Sequence, residues 1–330
     1  MQIIFGLVIV SLLALLAYLG TGVGSLGVLF GVVIPYGAVA LFVGGMLWRL
    51  WRWASTPVPF RITTTCGQQK TLPWIKSSTL DNPSTGFGVV LRMALEILLF
   101  RSLFRNTRAE MKEGPRLTYG EEKYLWLGAL VFHWSFLIIV LRHFRFFLEP
   151  VPACVGFLAW ADGFFQMAIP VLYLTDVAFM GALAFLLFRR LADARLRYIS
   201  LLADYMALFL LLAVGLSGVL MRYFLRVDVV EVKQWALGLS GLHPVVPAGL
   251  GPDFFIHLFL VSCLIAILPF TKMSHMAGVF LSPTRNLAND NRMRRHVNPW
   301  NYPVNVHTYE EWEHEFKDKI IAAGLPLEGK

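Results

Sequence analysis

Four histidines sit in two long apolar stretches of the chain: His133 and His143 in LGALVFHWSFLIIVLRHFRFF, His257 and His275 in DFFIHLFLVSCLIAILPFTKMSHM. Ionisable side chains are costly inside a bilayer and are kept there for a task or a partner. Imidazole is a standard axial ligand of haem iron. Two antiparallel helices with two histidines each can therefore hold two stacked haems, one toward each membrane face. A chain that carries electrons across a membrane needs that arrangement.

The elements that would position these residues are membrane helices. The chain has 330 residues, 57% of them hydrophobic and only 15% charged, with a mean hydropathy of +0.61. A water-soluble protein of this length needs far more polar surface. A span needs roughly 20 predominantly apolar residues. Six stretches qualify, at about 2–20, 26–50, 125–147, 164–188, 199–222 and 253–273. The first has no basic leader and a second span follows closely, so it reads as a retained helix and not a signal peptide. The expected fold is all-α and integral to the membrane: an extra helix over 1–25, a five-helix core over 26–280 with an insertion at 51–122, and a docking tail at 281–330.

Charge sets the orientation. The 51–122 segment carries ten Lys and Arg residues, and the 189–198 loop carries Arg189, Arg190, Arg195 and Arg197. By contrast 149–163 has none and 227–252 has only Lys233. The positive-inside rule places both termini, the insertion and the tail in the cytoplasm. The third span then runs outward and the sixth inward, so the histidines sort into the pairs His143–His257 and His133–His275. One tension remains: on straight helices, ten residues rise about 15 Å and eighteen about 27 Å. A kink at Pro269 would absorb part of the mismatch.

Haem propionates are anionic, and Arg142, Arg145, Arg222 and Lys272 are candidate partners for them. Any one of these cations, or any one histidine, could instead be an interfacial anchor. Asp176, placed within the fourth span, is the candidate for quinone or proton chemistry, with hydrogen-bonded packing as its plain alternative. His243, His296, His307 and His314 fall in loops or tail and read as solvated surface. Cys66, Cys154 and Cys263 form no CxxC or CxxCH pattern, which gives no sign of an iron–sulfur cluster, zinc site or covalent haem in this chain. The basic residues cluster beside apolar spans and form no groove-sized patch, which argues against nucleic acid as a partner. Residues 88–105 read as an amphipathic helix facing the membrane or a partner. In the tail, Thr308 and Glu311 form a capping box that opens a helix with Tyr309, Trp312, Phe316 and Ile320 on one face.

The two histidine spacings, on the second and fifth helices of a five-helix core, resemble the gamma subunit of respiratory nitrate reductase. That resemblance implies two b haems on the four histidines and quinol oxidation beside His143 and His257. The long 51–122 loop and the tail LSPTRNLANDNRMRRHVNPWNYPV resemble more closely the DsrM family, the cytochrome b subunits of the sulfite-reduction-associated Dsr membrane complex. This second resemblance implies electron exchange between the quinone pool (menaquinone or ubiquinone) and a cytoplasmic iron–sulfur subunit related to heterodisulfide reductase. It also implies further membrane and periplasmic subunits and a role in dissimilatory sulfur metabolism. The rival expectations are a gamma subunit of another respiratory oxidoreductase, or a haem-free membrane anchor or transporter.

Overall fold

The computed structural model describes residues 1–22, 26–57, 74, 78–112, 114, 116–163, 170–290 and 307–328. Cys66, His296, most of the insertion's first half, the start of the expected fourth span and residues 291–306 of the tail lie outside the described residues.

Among the described residues, five helices are long and apolar enough to cross a membrane. They are α1 (Gln2–Gly22); α2 (Ile34–Ala54), entered through a π-helical stretch at Leu29–Val33; α5 (Lys123–Phe147); α9 (Leu202–Val219), extended by a π-helical stretch to Leu225; and α11 (Pro252–Ile267), extended to Phe270. A sixth long helix, α7 (Leu174–Ala192), packs in the same bundle against α5 and α9. It carries Asp176 in its first turn and Arg189 and Arg190 in its last. The expected fourth span is thus shifted, opening at Leu174 and running on to Ala192, so Asp176 lies in the first turn and not within the span.

Between the spans lie α3 (Gly86–Leu99), α4 (Arg101–Phe104), α6 (Ala153–Asp162), α8 (Ala194–Ile199) and α10 (Val229–Ser240). Short polar side chains start several of them: Thr85 accepts from Gly88 N at 3.2 Å, and Asp228 accepts from Val230 N at 2.8 Å. The insertion also contains a hairpin that the sequence reading missed, β1 (Thr107–Lys112) against β2 (Arg116–Glu121), with Thr107 opposite Glu121 and Lys112 opposite Arg116.

The bundle has two apolar cores. In one, Phe30, Trp235, Phe254, Phe255 and Phe259 surround the fully buried Ala17 of α1. In the other, Val10 of α1 meets Phe179, Leu183, Leu210 and Leu260. Large apolar side chains such as Leu12, Leu41, Leu47 and Leu216 point outward on the spans. An apolar exterior over a packed interior suits helices whose solvent is lipid. The chain is a multi-pass membrane protein.

The last span breaks instead of bending. After Ile267 come two 3₁₀ turns, Leu268–Phe270 and Lys272–Ser274, and then α12 (His275–Gly278). Pro269 cannot donate to the helix ladder, and its ring blocks the preceding turn. Here α2 comes very close: a Cβ on Gly45 would stand 2.8 Å from Phe270 and 2.9 Å from Pro269. Arg49 of α2 fixes the broken segment by donating to Ser274 Oγ at 2.6 Å and Thr271 O at 3.3 Å. His257 and His275 therefore do not share one straight helix, so the rise of a straight rod does not apply to that pair. Beyond lie α13 (Pro283–Asn286) and, in the tail, α14 (Tyr309–Ala322). The Thr308–Glu311 capping box is formed, and Tyr309, Trp312 and Phe316 stack along one face of α14.

Candidate functional site

Helix α5 carries His133 and His143 two to three turns apart, and the two other histidines come to meet them from α11 and α12. The rings of His133 and His275 are 6.0 Å apart between centroids, with planes at 79°. A metal–imidazole bond of about 2.0–2.1 Å, with the ring centre about 1 Å behind its nitrogen, puts two imidazoles on opposite sides of one metal about 6 Å apart. At the other end of the bundle His143 and His257 lie within electrostatic reach of each other. The fold thus places His133 beside His275 and His143 near His257.

The hydrogen bonds of the four rings share one pattern. His133 Nδ1 faces Ala129 O at 2.7 Å, His143 Nδ1 faces Ile139 O at 2.7 Å and His275 Nδ1 faces Lys272 O at 2.8 Å. A carbonyl only accepts, so each Nδ1 carries the proton. His257 Nδ1 lies 2.9 Å from Ser217 Oγ, which itself donates to Val214 O at 3.0 Å. With its one proton so used, the Ser217 oxygen accepts from Nδ1–H. In all four rings Nε2 is left as the bare lone pair. This is the tautomer and orientation that metal-bound histidines take from their outer partners. Among the described residues no group of three or more His, Cys, Asp or Glu side chains converges on one point. Imidazoles in twos, each with Nε2 bare, fit haem iron, which needs only its two axial positions filled.

Beside His143 lies a buried ionic cluster. Arg142, with 7% of its side chain exposed, pairs with Asp176 at 2.6 Å and with Asp162 at 3.0 Å. Asp162, at the end of α6, also accepts from Thr175 N at 2.8 Å and Thr175 Oγ1 at 2.6 Å. Tyr223 donates to Asp176 at 2.8 Å and accepts from Tyr173 N at 3.0 Å. The guanidinium carbons of Arg142 and Arg222 stand 3.7 and 4.1 Å from the centre of the Tyr173 ring.

The four candidate propionate partners therefore differ. Arg142 is held by two carboxylates, and Lys272 pairs with Asp204 at 2.8 Å. Arg145 has Tyr173 Oη at 3.4 Å, and Arg222 donates to Val171 O at 3.1 Å while its buried Nε has no partner among the described residues. Arg145 also lines a largely apolar cavity of about 550 Å³ between α5, α6 and α10, with Phe146, Val155, Ala159, Val230 and Gln234.

Several contributors escaped the sequence reading. Ser217 and Gly218 both touch His257, and a Cβ on Gly218 would stand 3.3 Å from its Cε1. Phe100 packs edge-on against His133 at 4.9 Å. Asp162 and Tyr223 complete the ion cluster.

The family profile of the nitrate reductase gamma subunit matches residues 85–295. The Hdr-like menaquinol oxidoreductase cytochrome b-like subunit of Archaeoglobus fulgidus is 44% identical over 312 residues, covering 92% of this chain and 89% of that protein. The protein of the same description from Archaeoglobus profundus is 42% identical over 274 residues, 81% of each chain. The nitrate reductase gamma chain of Bacillus subtilis is 34% identical over 108 residues, 33% of this chain and 48% of its own length. A profile match that begins at α3 and ends beyond His275 takes in all four histidines, and by it and these relatives the chain belongs to the nitrate reductase gamma subunit family.

Proposed function

We propose that this chain is the membrane cytochrome b of a menaquinol-oxidising, Hdr-like complex. It takes electrons from quinol near His143 and His257, passes them through two b haems, and delivers them near His133 and His275 to a cytoplasmic iron–sulfur subunit of the heterodisulfide reductase type. The setting is dissimilatory sulfur metabolism in the cytoplasmic membrane, with both termini inside. The observation that carries the reading is the common hydrogen-bond pattern of the four rings, which leaves Nε2 bare on each. The Archaeoglobus relatives, each a menaquinol oxidoreductase cytochrome b-like subunit, support it.

Bound haem supplies one-electron exchange at iron; the chain supplies ligation, electrostatics and shape. His133 and His275 would hold one group, His143 and His257 the other. Arg145 and Arg222, whose hydrogen-bond partners among the described residues are neutral, are the cations suited to haem carboxylates at the His143 end. The cavity beside Arg145 has the size and apolar lining that a quinol ring requires. Quinol oxidation releases two protons with its two electrons. Asp176, joined to Tyr223 by a hydrogen bond, is the carboxylate at this end to receive one of them.

A dithionite-reduced minus oxidised spectrum of the purified chain, with haem measured per polypeptide, tests the reading. A b-type band at two haems per chain, reducible by a menaquinol analogue, is expected. A folded, haem-supplied preparation without that band would sink the proposal. Replacing Ser217 by alanine removes the hydroxyl that His257 Nδ1 meets at 2.9 Å. It is expected to weaken retention of the haem at that end by about 10–100-fold, read as haem lost during dilution in detergent.

A further inference from the structure

Phe100 separates α3 from α4 with φ 49° and ψ 48°. This left-handed conformation is disfavoured for any residue with a Cβ, and at helix ends it is normally given to glycine or asparagine. A phenylalanine here is held at a conformational cost, and its ring goes to the histidine: Phe100 meets the His133 ring edge-on, at 4.9 Å and 73°.

The segment around Phe100 is fastened on both sides of the ligand pair. The last turn of α3 has carbonyls with no partner inside the helix. Two indoles of α5 satisfy them: Trp134 Nε1 donates to Leu98 O at 3.0 Å and Trp126 Nε1 to Leu99 O at 2.7 Å. Trp134 is the residue next to His133. On its other side α3 is tied to the chain that follows His275. Glu96 accepts from Arg285 at 3.1 Å, Asn289 N donates to Pro83 O at 2.8 Å, and the side chains of Asn82 and Asn289 are hydrogen-bonded to each other. Glu96 also accepts from Ser102 N at 2.9 Å and Ser102 Oγ at 2.6 Å, which locks the α3–α4 corner in which Phe100 sits.

We infer that Phe100 is a positioning residue of the His133–His275 site: its ring, set by the α3–α4 corner, packs edge-on against the His133 imidazole together with Phe132 (4.8 Å and 79° from it) and holds its plane. The inference rests on the dihaem reading for its spectroscopic consequence. The insertion then does more than offer surface to a partner, because it controls the electronic environment of one haem and leaves the other alone.

The test compares the wild-type chain with Phe100→Gly and Phe100→Tyr by low-spin EPR and by redox titration. His133→Ala and His143→Ala serve as single-haem references for assigning the two components. Glycine removes the ring and relieves the left-handed backbone, so this variant does not lose its fold for backbone reasons. In Phe100→Gly the signal assigned to the His133–His275 haem is expected to shift and broaden. Its midpoint potential is expected to fall as water replaces the ring. The other component stays at its wild-type position, and Phe100→Tyr restores the wild-type signature. Loss of that one haem from Phe100→Gly, restored in Phe100→Tyr, would also support the role. A Phe100→Gly chain with both components at wild-type positions, or one in which both shift together, would overturn it. A wild-type chain without haem would overturn the dihaem reading instead, so the two failures are distinguishable.

Discussion

Replacing His143 or His257 by alanine is expected to leave a folded chain with one haem instead of two and to abolish its reduction by quinol. The two rings come from α5 and α11, and each offers a bare Nε2 because its Nδ1 is already engaged. Losing an outer-shell partner of a metal-bound histidine costs about 10–100-fold in affinity or activity, so losing the ligand itself should cost more than about 100-fold in quinol-driven electron flow. The reciprocal substitutions, His133→Ala and His275→Ala, should also leave one haem, and that haem should still be reduced by quinol. Passage onward to an acceptor subunit would stop. Pyridine haemochrome quantitation and stopped-flow reduction by a menaquinol analogue read both halves of this expectation. Two haems retained in His143→Ala would refute the assignment of that residue.

The second large effect belongs to Arg142. Its guanidinium is 7% exposed, and it lies between Asp162, 4% exposed, and Asp176, 14% exposed. Breaking a buried ion pair by removing one partner typically costs about 3–5 kcal/mol, because the remaining charge has neither water nor a counter-ion. Arg142→Met strands two carboxylates at once and should reach the upper part of that range, read as loss of thermal stability in detergent. It should also disturb the haem beside His143. Neutralising both acids, in Arg142→Met/Asp162→Asn/Asp176→Asn, is expected to restore most of the stability. A triple variant as unstable as Arg142→Met alone would show that the cost comes from packing around the guanidinium stem and not from stranded charge.

That His133 comes close to His275, and His143 to His257, was legible because two independent physical signals met in the same residues: imidazole is expensive in apolar helices, and the apolar spans alternate in direction. Spans α1, α2, α5 and α9 were legible from apolar length alone. The break after Ile267 was only half legible. Pro269 announced an interruption, but whether the chain bends or stops depends on what packs there, and Gly45 and Arg49 of α2 decide it from more than two hundred residues away in sequence. The Arg142 cluster was hidden for the same reason. Asp162 and Asp176 lie on different helices, and Asp176 read as a lone acid until α7 was seen to open just before it. Ser217 and Gly218 carried almost no sequence signal, since small residues in membrane helices are ordinary packing residues. The β1–β2 hairpin was lost against the strong helical signals on either side of it.

The first helix, with Val10 and Ala17 buried against α9 and α11, and α2, whose Gly45 lies against Pro269, both find their neighbours at the far end of the chain. During synthesis these two early segments must wait in the lipid until α11 emerges. The wait between His143 and His257 is of the order of ten seconds at an elongation rate of about 5–20 residues per second. Neither imidazole pair exists before that moment. A chain ended before α11 carries His133 and His143 alone, one imidazole of each pair, so both pairs are completed only once the whole bundle has been made.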